Sequence, residues 1–179
     1  MTRFVMVIDT RTCIGCGDCV VACKTENNVP VGLNRDWVVE ATSGTYPDLK
    51  TEFRSERCNH CSNPTCVTLC PTGASHLWND TNIVLVEPEK CTGCKACIAA
   101  CPYDARLVMH PDGYIDKCTF CHHRVEKGLD PACVSTCPTG CMHFGSLDDP
   151  HSKVSQLLKT RDHKVLKPET GNEPNVYYL

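Results

Sequence analysis

Sixteen of the seventeen cysteines in this chain of 179 residues fall into four groups of four, and that spacing limits the fold more than any other feature. The first group is Cys13-x2-Cys16-x2-Cys19-x3-Cys23. The second is Cys58-x2-Cys61-x4-Cys66-x3-Cys70, the third Cys91-x2-Cys94-x2-Cys97-x3-Cys101, and the fourth Cys118-x2-Cys121-x11-Cys133-x3-Cys137. In the last three groups the final cysteine is followed by proline. The surroundings repeat as well: Cys13-Ile14-Gly15-Cys16 echoes Cys91-Thr92-Gly93-Cys94, and Cys70-Pro71-Thr72-Gly73 echoes Cys137-Pro138-Thr139-Gly140. The 41 % hydrophobic content counts these cysteines, and only four Phe, two Trp and five Tyr are present. A chain so poor in ordinary core residues needs something besides side-chain burial to hold it together.

Cysteine at this density signals a disulfide scaffold or a metal protein. Cysteines three residues apart are too crowded for independent bridges, and tetrahedral zinc sites use two separated pairs, not triplets at x2/x2 spacing. Packed, unligated thiols would have no reason to repeat. The reading that fits is four [4Fe–4S] clusters. The third group has the bacterial ferredoxin spacing, proline included. Two-residue gaps wrap a tight loop around one side of a cubane and deliver three sulfurs. Thr92, Gly93 and Ala96 are small enough to let the backbone approach and aim N–H groups at those sulfurs. The x3 step begins a helical turn that carries the fourth cysteine away, in two-cluster ferredoxins to the other cluster. Cys141 is left over. The repeat puts Ala74 at its equivalent position, so it reads as a packed thiol and not a ligand. His60, His122 and His123 neighbour cysteines but find every thiolate place filled, so they read as surrounding residues.

Several function classes drop out. The longest clean apolar runs are short, such as Ile83–Val86, and far from a bilayer span, and 18 Lys+Arg against 21 Asp+Glu make no nucleic-acid footprint. The stretch before Cys13 reads as carrying neither a secretory apolar region nor a twin arginine. No phosphate loop or nucleophile constellation is present. A cubane with four cysteine ligands leaves no iron open to substrate, so the expectation is a non-catalytic carrier of single electrons. Oxidised clusters with four thiolates carry about −2 each and dominate the charge. Lys24, Arg57, Lys90, Lys95 and Lys117 sit beside ligands and are candidates for raising reduction potentials.

Between the groups, Phe4–Ile8, Trp37–Glu40 and Ile83–Val86 read as strands, Val20–Thr25 as the start of a helix, and 107–117 as a β-hairpin. A helix is expected from Asp148-Asp149-Pro150 to about Lys159, with Val154, Leu157 and Leu158 on one face. The tail 175–179 reads as a strand laid on a partner or on the chain's own body. The expected fold is α+β: two ferredoxin-like [4Fe–4S] cores in one chain, with β-hairpin and loop insertions. Residues 1–30 with 103–147 form the first core, 50–102 the second, 31–49 an insertion, and 148–179 a C-terminal helix and tail.

The order of the four groups resembles the four-cluster iron–sulfur subunit of molybdopterin oxidoreductases, such as polysulfide, thiosulfate, tetrathionate and dimethyl sulfoxide reductases. The nitrate-reductase branch, with a Trp in place of one cysteine, fits less well because the set here is complete. The resemblance implies crossed ligation. Cluster A would be held by Cys13, Cys16, Cys19 and Cys137, and cluster B by Cys23, Cys118, Cys121 and Cys133. Cluster C would be held by Cys58, Cys61, Cys66 and Cys101, and cluster D by Cys70, Cys91, Cys94 and Cys97. It also implies two partners, a molybdopterin (Mo or W) catalytic subunit and an integral-membrane quinone-linked subunit. The protein would be membrane-associated through them, at the periplasmic face by co-export, with the cytoplasmic face as the alternative. The rival reading is a soluble polyferredoxin serving several partners.

Overall fold

The structure is a computed structural model and describes residues 2–179. In chain order its strands and helices are β1 (Phe4–Ile8), α1 (Asp18–Glu26), β2 (Asp36–Ser43), β3 (Lys50–Arg57), α2 (Thr65–Thr68), β4 (Ser75–Leu77), β5 (Val84–Val86), α3 (Ala96–Ala100), β6 (Leu107–Val108), β7 (Ile115–Asp116), α4 (His122–Val125), α5 (Ala132–Thr136), β8 (Met142–Ser146), α6 (Lys153–Thr160) and β9 (Val176–Tyr178). Short helices and short strands alternate along the chain, an α+β arrangement.

The run Phe4–Ile8 is apolar at every position because β1 is the middle strand of a three-stranded sheet ordered β8-β1-β9, covered on both faces. Met6 and Ile8 face the main core, among cysteines, Ile83, Phe120 and Tyr178. Val5 and Val7 face the other way, onto Val154 of α6. That contact is what the apolar stripe on α6 is for. The helix begins later than the acidic-proline signal suggests, since the cap is Ser152, whose hydroxyl accepts from the Ser155 N–H at 3.2 Å. The tail lies on the chain's own body: β9 pairs parallel with β1, Met6 opposite Val176.

Two-stranded hairpins account for the other sheets. The β6–β7 pair falls within the hairpin read over 107–117 and β5 within the strand read at Ile83–Val86, whereas its partner β4 is not among the strands read from sequence. β2 contains the strand read at Trp37–Glu40, but its partner β3 is not among them; the pair runs eight residues on each side, from Asp36↔Arg57 to Ser43↔Lys50. β3, Lys-Thr-Glu-Phe-Arg-Ser-Glu-Arg, is too polar to announce itself, and the hairpin straddles the expected boundary near residue 50. Phe53 of β3 lies against the first cysteine loop. A Cβ on Gly15 would meet the Phe53 ring at 2.5 Å, and one on Gly93 would meet the Gly113 carbonyl oxygen of the β6–β7 turn at 2.7 Å. Both loops therefore need glycine, at φ of 69° and 65°, because a hairpin lies directly on them.

Buried amides stitch the termini to the middle of the chain. Asn82 accepts from the Phe4 N–H at 2.7 Å and donates to the Phe4 carbonyl at 2.8 Å. Asn175 donates to the His60 carbonyl at 2.7 Å and accepts from Arg3 Nε at 2.7 Å. Tyr178, 1 % exposed, sends its hydroxyl to the Ser55 carbonyl at 3.2 Å. Tyr178→Ala is expected to cost about 3–5 kcal/mol, since it empties a large buried site, and to lower the denaturant midpoint of the iron-loaded protein accordingly.

Candidate metal centres

Helices place the cysteines. In α1, Cys19 and Cys23 are four residues apart and share one face, displaced by about 6 Å along the axis. Cys133 of α5 and Cys137 just beyond its end repeat that step, and α1 packs against α5. One cysteine of each helix therefore faces one cavity, and its neighbour one turn on faces the next. Cys13, Cys16, Cys19 and Cys137 line one cavity. Cys23, Cys118, Cys121 and Cys133 line a second. The packed pair α2 and α3 does the same with the middle groups. Cys70, Cys91, Cys94 and Cys97 line a third cavity. Cys58, Cys66 and Cys101 surround Cys61.

The seventeen cysteines are all free thiols, which removes the disulfide reading. Among the described residues no three His, Cys, Asp or Glu side chains converge on a point suited to one metal ion, as a zinc site would require. The thiols instead gather in sets of four around separate cavities, which suits a repeated polynuclear group. Burial pushes the Cys61 thiol up to about 12, and the facing thiols of Cys58, Cys66 and Cys101 push the same way. Burial does the same to Cys118, up to about 12, and to Cys133, up to about 11. Such thiols give up their protons together only to a group that brings positive charge, as iron does.

Donors already point at the sulfurs. The N–H groups of Ser75 and Ile115 donate to Cys70 and Cys91 at 3.3 and 3.4 Å, and that of Phe120 to Cys118 at 3.5 Å. In the repeated Cys-Pro-Thr-Gly turns, Thr72 and Thr139 hydroxyls lie 3.8 and 3.7 Å from the Cys70 and Cys137 sulfurs. Burial raises both of these thiols, but the hydrogen bonds outweigh it and hold them below the usual thiol value. Arg57 Nη1 donates to Cys133 at 2.9 Å. Arg57 Nε and Arg106 Nη1 are buried donors without a partner, and both residues line thiol cavities. An anionic group bearing its own sulfur acceptors fits beside such orphaned donors. Asp36 is the opposing charge: it lines the Cys23 cavity, and burial raises its carboxyl while Arg57 pulls it back.

Of the cations flagged by adjacency, Arg57 and Lys117 are buried, whereas Lys90 pairs with Glu87 at 2.7 Å, Lys95 is exposed, and Lys24 caps the loop carbonyls of Pro30 and Leu33. His60 is buried against Phe120 at 3.8 Å, with Nδ1 accepting from the Val84 N–H, and burial holds its pKa well below the usual value. His123 bonds Glu26, and His122 packs edge-on to Trp78. Cys141 lies closer to the chemistry than its repeat suggests: its sulfur is 3.4 Å from that of Cys137, on the wall of the same cavity. Sequence reasoning missed Ser55, Asp36, Asn27 and Arg106, none of which is adjacent to a cysteine. Asn27 lies four residues past Cys23, capping the end of α1, within 3.8 Å of the sulfurs of Cys23 and Cys121; that helical spacing was the one signal available.

Four sets of four thiols, each drawn from two of the cysteine groups, define a polycluster iron–sulfur protein. Two 4Fe-4S dicluster domain descriptions match, over residues 12–74 and 49–147, and the chain belongs to that family. It carries four [4Fe–4S] clusters. It is 37 % identical over 225 residues to the arsenate respiratory reductase iron-sulfur subunit ArrB of Shewanella sp. (strain ANA-3), covering 99 % of this chain and 96 % of that one. It is 44 % identical over 189 residues to a tetrathionate reductase subunit of Salmonella typhimurium, covering 99 % and 72 %, and 42 % identical over 177 residues to protein NrfC of Escherichia coli (strain K12), covering 98 % and 79 %.

Anaerobically prepared protein is expected to contain about 16 iron atoms and 16 acid-labile sulfides per chain by elemental and sulfide analysis, with iron near 12 excluding a full set. Chelation of the iron should unfold most of the chain, read as loss of far-ultraviolet circular dichroism.

Proposed function

We propose that the chain is the electron-transfer subunit of a respiratory reductase, relaying single electrons between a molybdopterin catalytic subunit and a quinone-linked membrane subunit. The observation that carries this is four cysteine-closed sites in one small chain. Each bound cluster supplies one reversible electron and no substrate position. Several in series serve to join redox centres that cannot touch. The relatives named as subunits of arsenate and tetrathionate reductases support the same reading. Substrates so different attached to one subunit type mean that substrate choice belongs to the catalytic partner.

The ligands follow the four thiol sets: Cys13, Cys16, Cys19 and Cys137 for cluster A, Cys23, Cys118, Cys121 and Cys133 for cluster B, Cys58, Cys61, Cys66 and Cys101 for cluster C, and Cys70, Cys91, Cys94 and Cys97 for cluster D. The cavities and the packed helix pairs support this crossed pairing. They also support two ferredoxin-like cores, residues 1–30 with 103–147 and residues 50–102. Residues 31–49 are the insertion, and 148–179 the C-terminal helix and tail. Among the described residues no helix is long and apolar enough to cross a membrane. Attachment through the quinone-linked partner, at the periplasmic face, is part of the same proposal. Cys141 stays a free thiol at cluster A.

Two measurements test this. Cys101→Ser should alter the EPR signal of the cluster held by the second cysteine group and leave that of the third group unchanged; the reverse result overturns the pairing. Affinity capture from native membranes should bring down a molybdopterin protein and a multi-span protein. A chain recovered alone, iron-loaded and free of membranes, would instead support the polyferredoxin alternative.

A further inference from the structure

We propose that Arg57, Lys117 and Arg106 are junction charges, each lying between two neighbouring cluster sites and raising the reduction potentials of both. The inference rests on the ligand sets given under the proposed function. All three side chains are buried, at 1 %, 1 % and 7 % exposure. A buried charge is costly unless something of opposite sign faces it. Among the described residues the only carboxylate within ion-pair distance of any of them is Asp36, 3.8 Å from Arg57, and neither Lys117 nor Arg106 forms an ion pair. What faces them is sulfur.

Arg57 stands between A and B. It lines the B cavity and donates to Cys133, while Ser55, two residues earlier on the same face of β3, holds its hydroxyl 3.5 Å from the Cys19 sulfur of A and accepts from Arg57 Nη2. Lys117 stands between B and C. Its ammonium donates to the carbonyl of the B ligand Cys118 at 2.8 Å and to the Val84 carbonyl, and it faces Cys58 and Cys66 of C. Arg106 stands between C and D. It lines the D cavity, donates to Ser75 Oγ at 2.8 Å, and faces Cys66 and Cys58 of C as well as Cys97 of D. The three shared neighbours string the sites in the order A, B, C, D. The two exposed cysteines, Cys16 and Cys94, belong to the two ends of that string.

The chemistry follows from charge. Reduction adds one negative charge to a site that is already anionic, and a neighbouring anionic site opposes it. A cation at the junction offsets both effects in a poorly screened interior. Guanidinium does not lose its proton in proteins, so the two arginines hold their charge throughout.

The test is a redox titration of the iron-loaded protein, followed by EPR, on Arg57→Gln, Lys117→Gln and Arg106→Gln. Each variant should shift two clusters downward, by at least a tenfold fall in the reduced-to-oxidised ratio, or about 59 mV for one electron. The pairs should overlap in a pattern: the Arg57 and Arg106 pairs share no cluster, and the Lys117 pair shares one with each. Arg57→Lys should restore most of its shift, which a merely structural role would not require. Variants with full iron and sulfide whose four midpoints stay in place, or in which a single cluster moves, overturn the proposal. If Arg57→Gln fails to load, Ser55→Ala, which removes the link from Arg57 to the Cys19 sulfur, decides for the first junction: an unchanged A midpoint would reject it. Wild-type protein with fewer than four clusters would instead reject the ligand sets beneath it.

Discussion

Everything in this molecule depends on thiols forced together out of water. Four sulfurs facing one cavity repel each other once ionised, and burial resists ionisation as well, so the metal-free arrangement has nothing to hold it closed. Iron reverses both signs. The cluster sites thus do the work that Leu, Ile and Phe do in ordinary cores, which is how a chain with four Phe and two Trp keeps its shape. The conventional core that does exist, Val5, Val7 and Val154 on one side of β1 and Met6 and Ile8 on the other, is a thin layer around those sites.

The same constraint explains the local backbone. The x3 step between the last two cysteines of every group is one helical turn, so a single short helix serves two sites and locks their separation. Loops that wrap a cavity must turn sharply and must also accept a hairpin lying on top of them, which is why Gly15 and Gly93 cannot carry a Cβ. The hairpins keep water away from the sulfurs, and the backbone N–H groups of Ser75, Ile115 and Phe120 replace it as donors. Function follows from what this closure leaves out. With every iron position taken by cysteine, substrate has no place to bind, and the chain is left to conduct.

Much of this was legible in the chain because ligand spacing is a local property. Four groups at helical and loop offsets announce four cubanes, and the strand Phe4–Ile8 and the β6–β7 turn carry ordinary patterns. The β2–β3 hairpin was half hidden, since β3 is polar along most of its length and owes its strand conformation to pairing with β2. The start of α6 was displaced because Ser152 and Asp149 are both plausible caps by residue type, and only the turn from β8 selects Ser152. Adjacency to cysteine proved a poor guide to electrostatics: it ranked Lys90 and Lys95 with Arg57 and passed over Arg106.

By itself, the sequence determined the number and kind of the metal centres, because cysteine count and spacing are fixed before folding. Tertiary structure alone decided which thiols share a cavity, which cations are buried between cavities, and that Cys141 lies beside Cys137. Those facts rest on long-range packing, of α1 on α5, α2 on α3 and β3 over the cavities of the first and fourth groups, and contacts between residues a hundred positions apart leave no spacing to read.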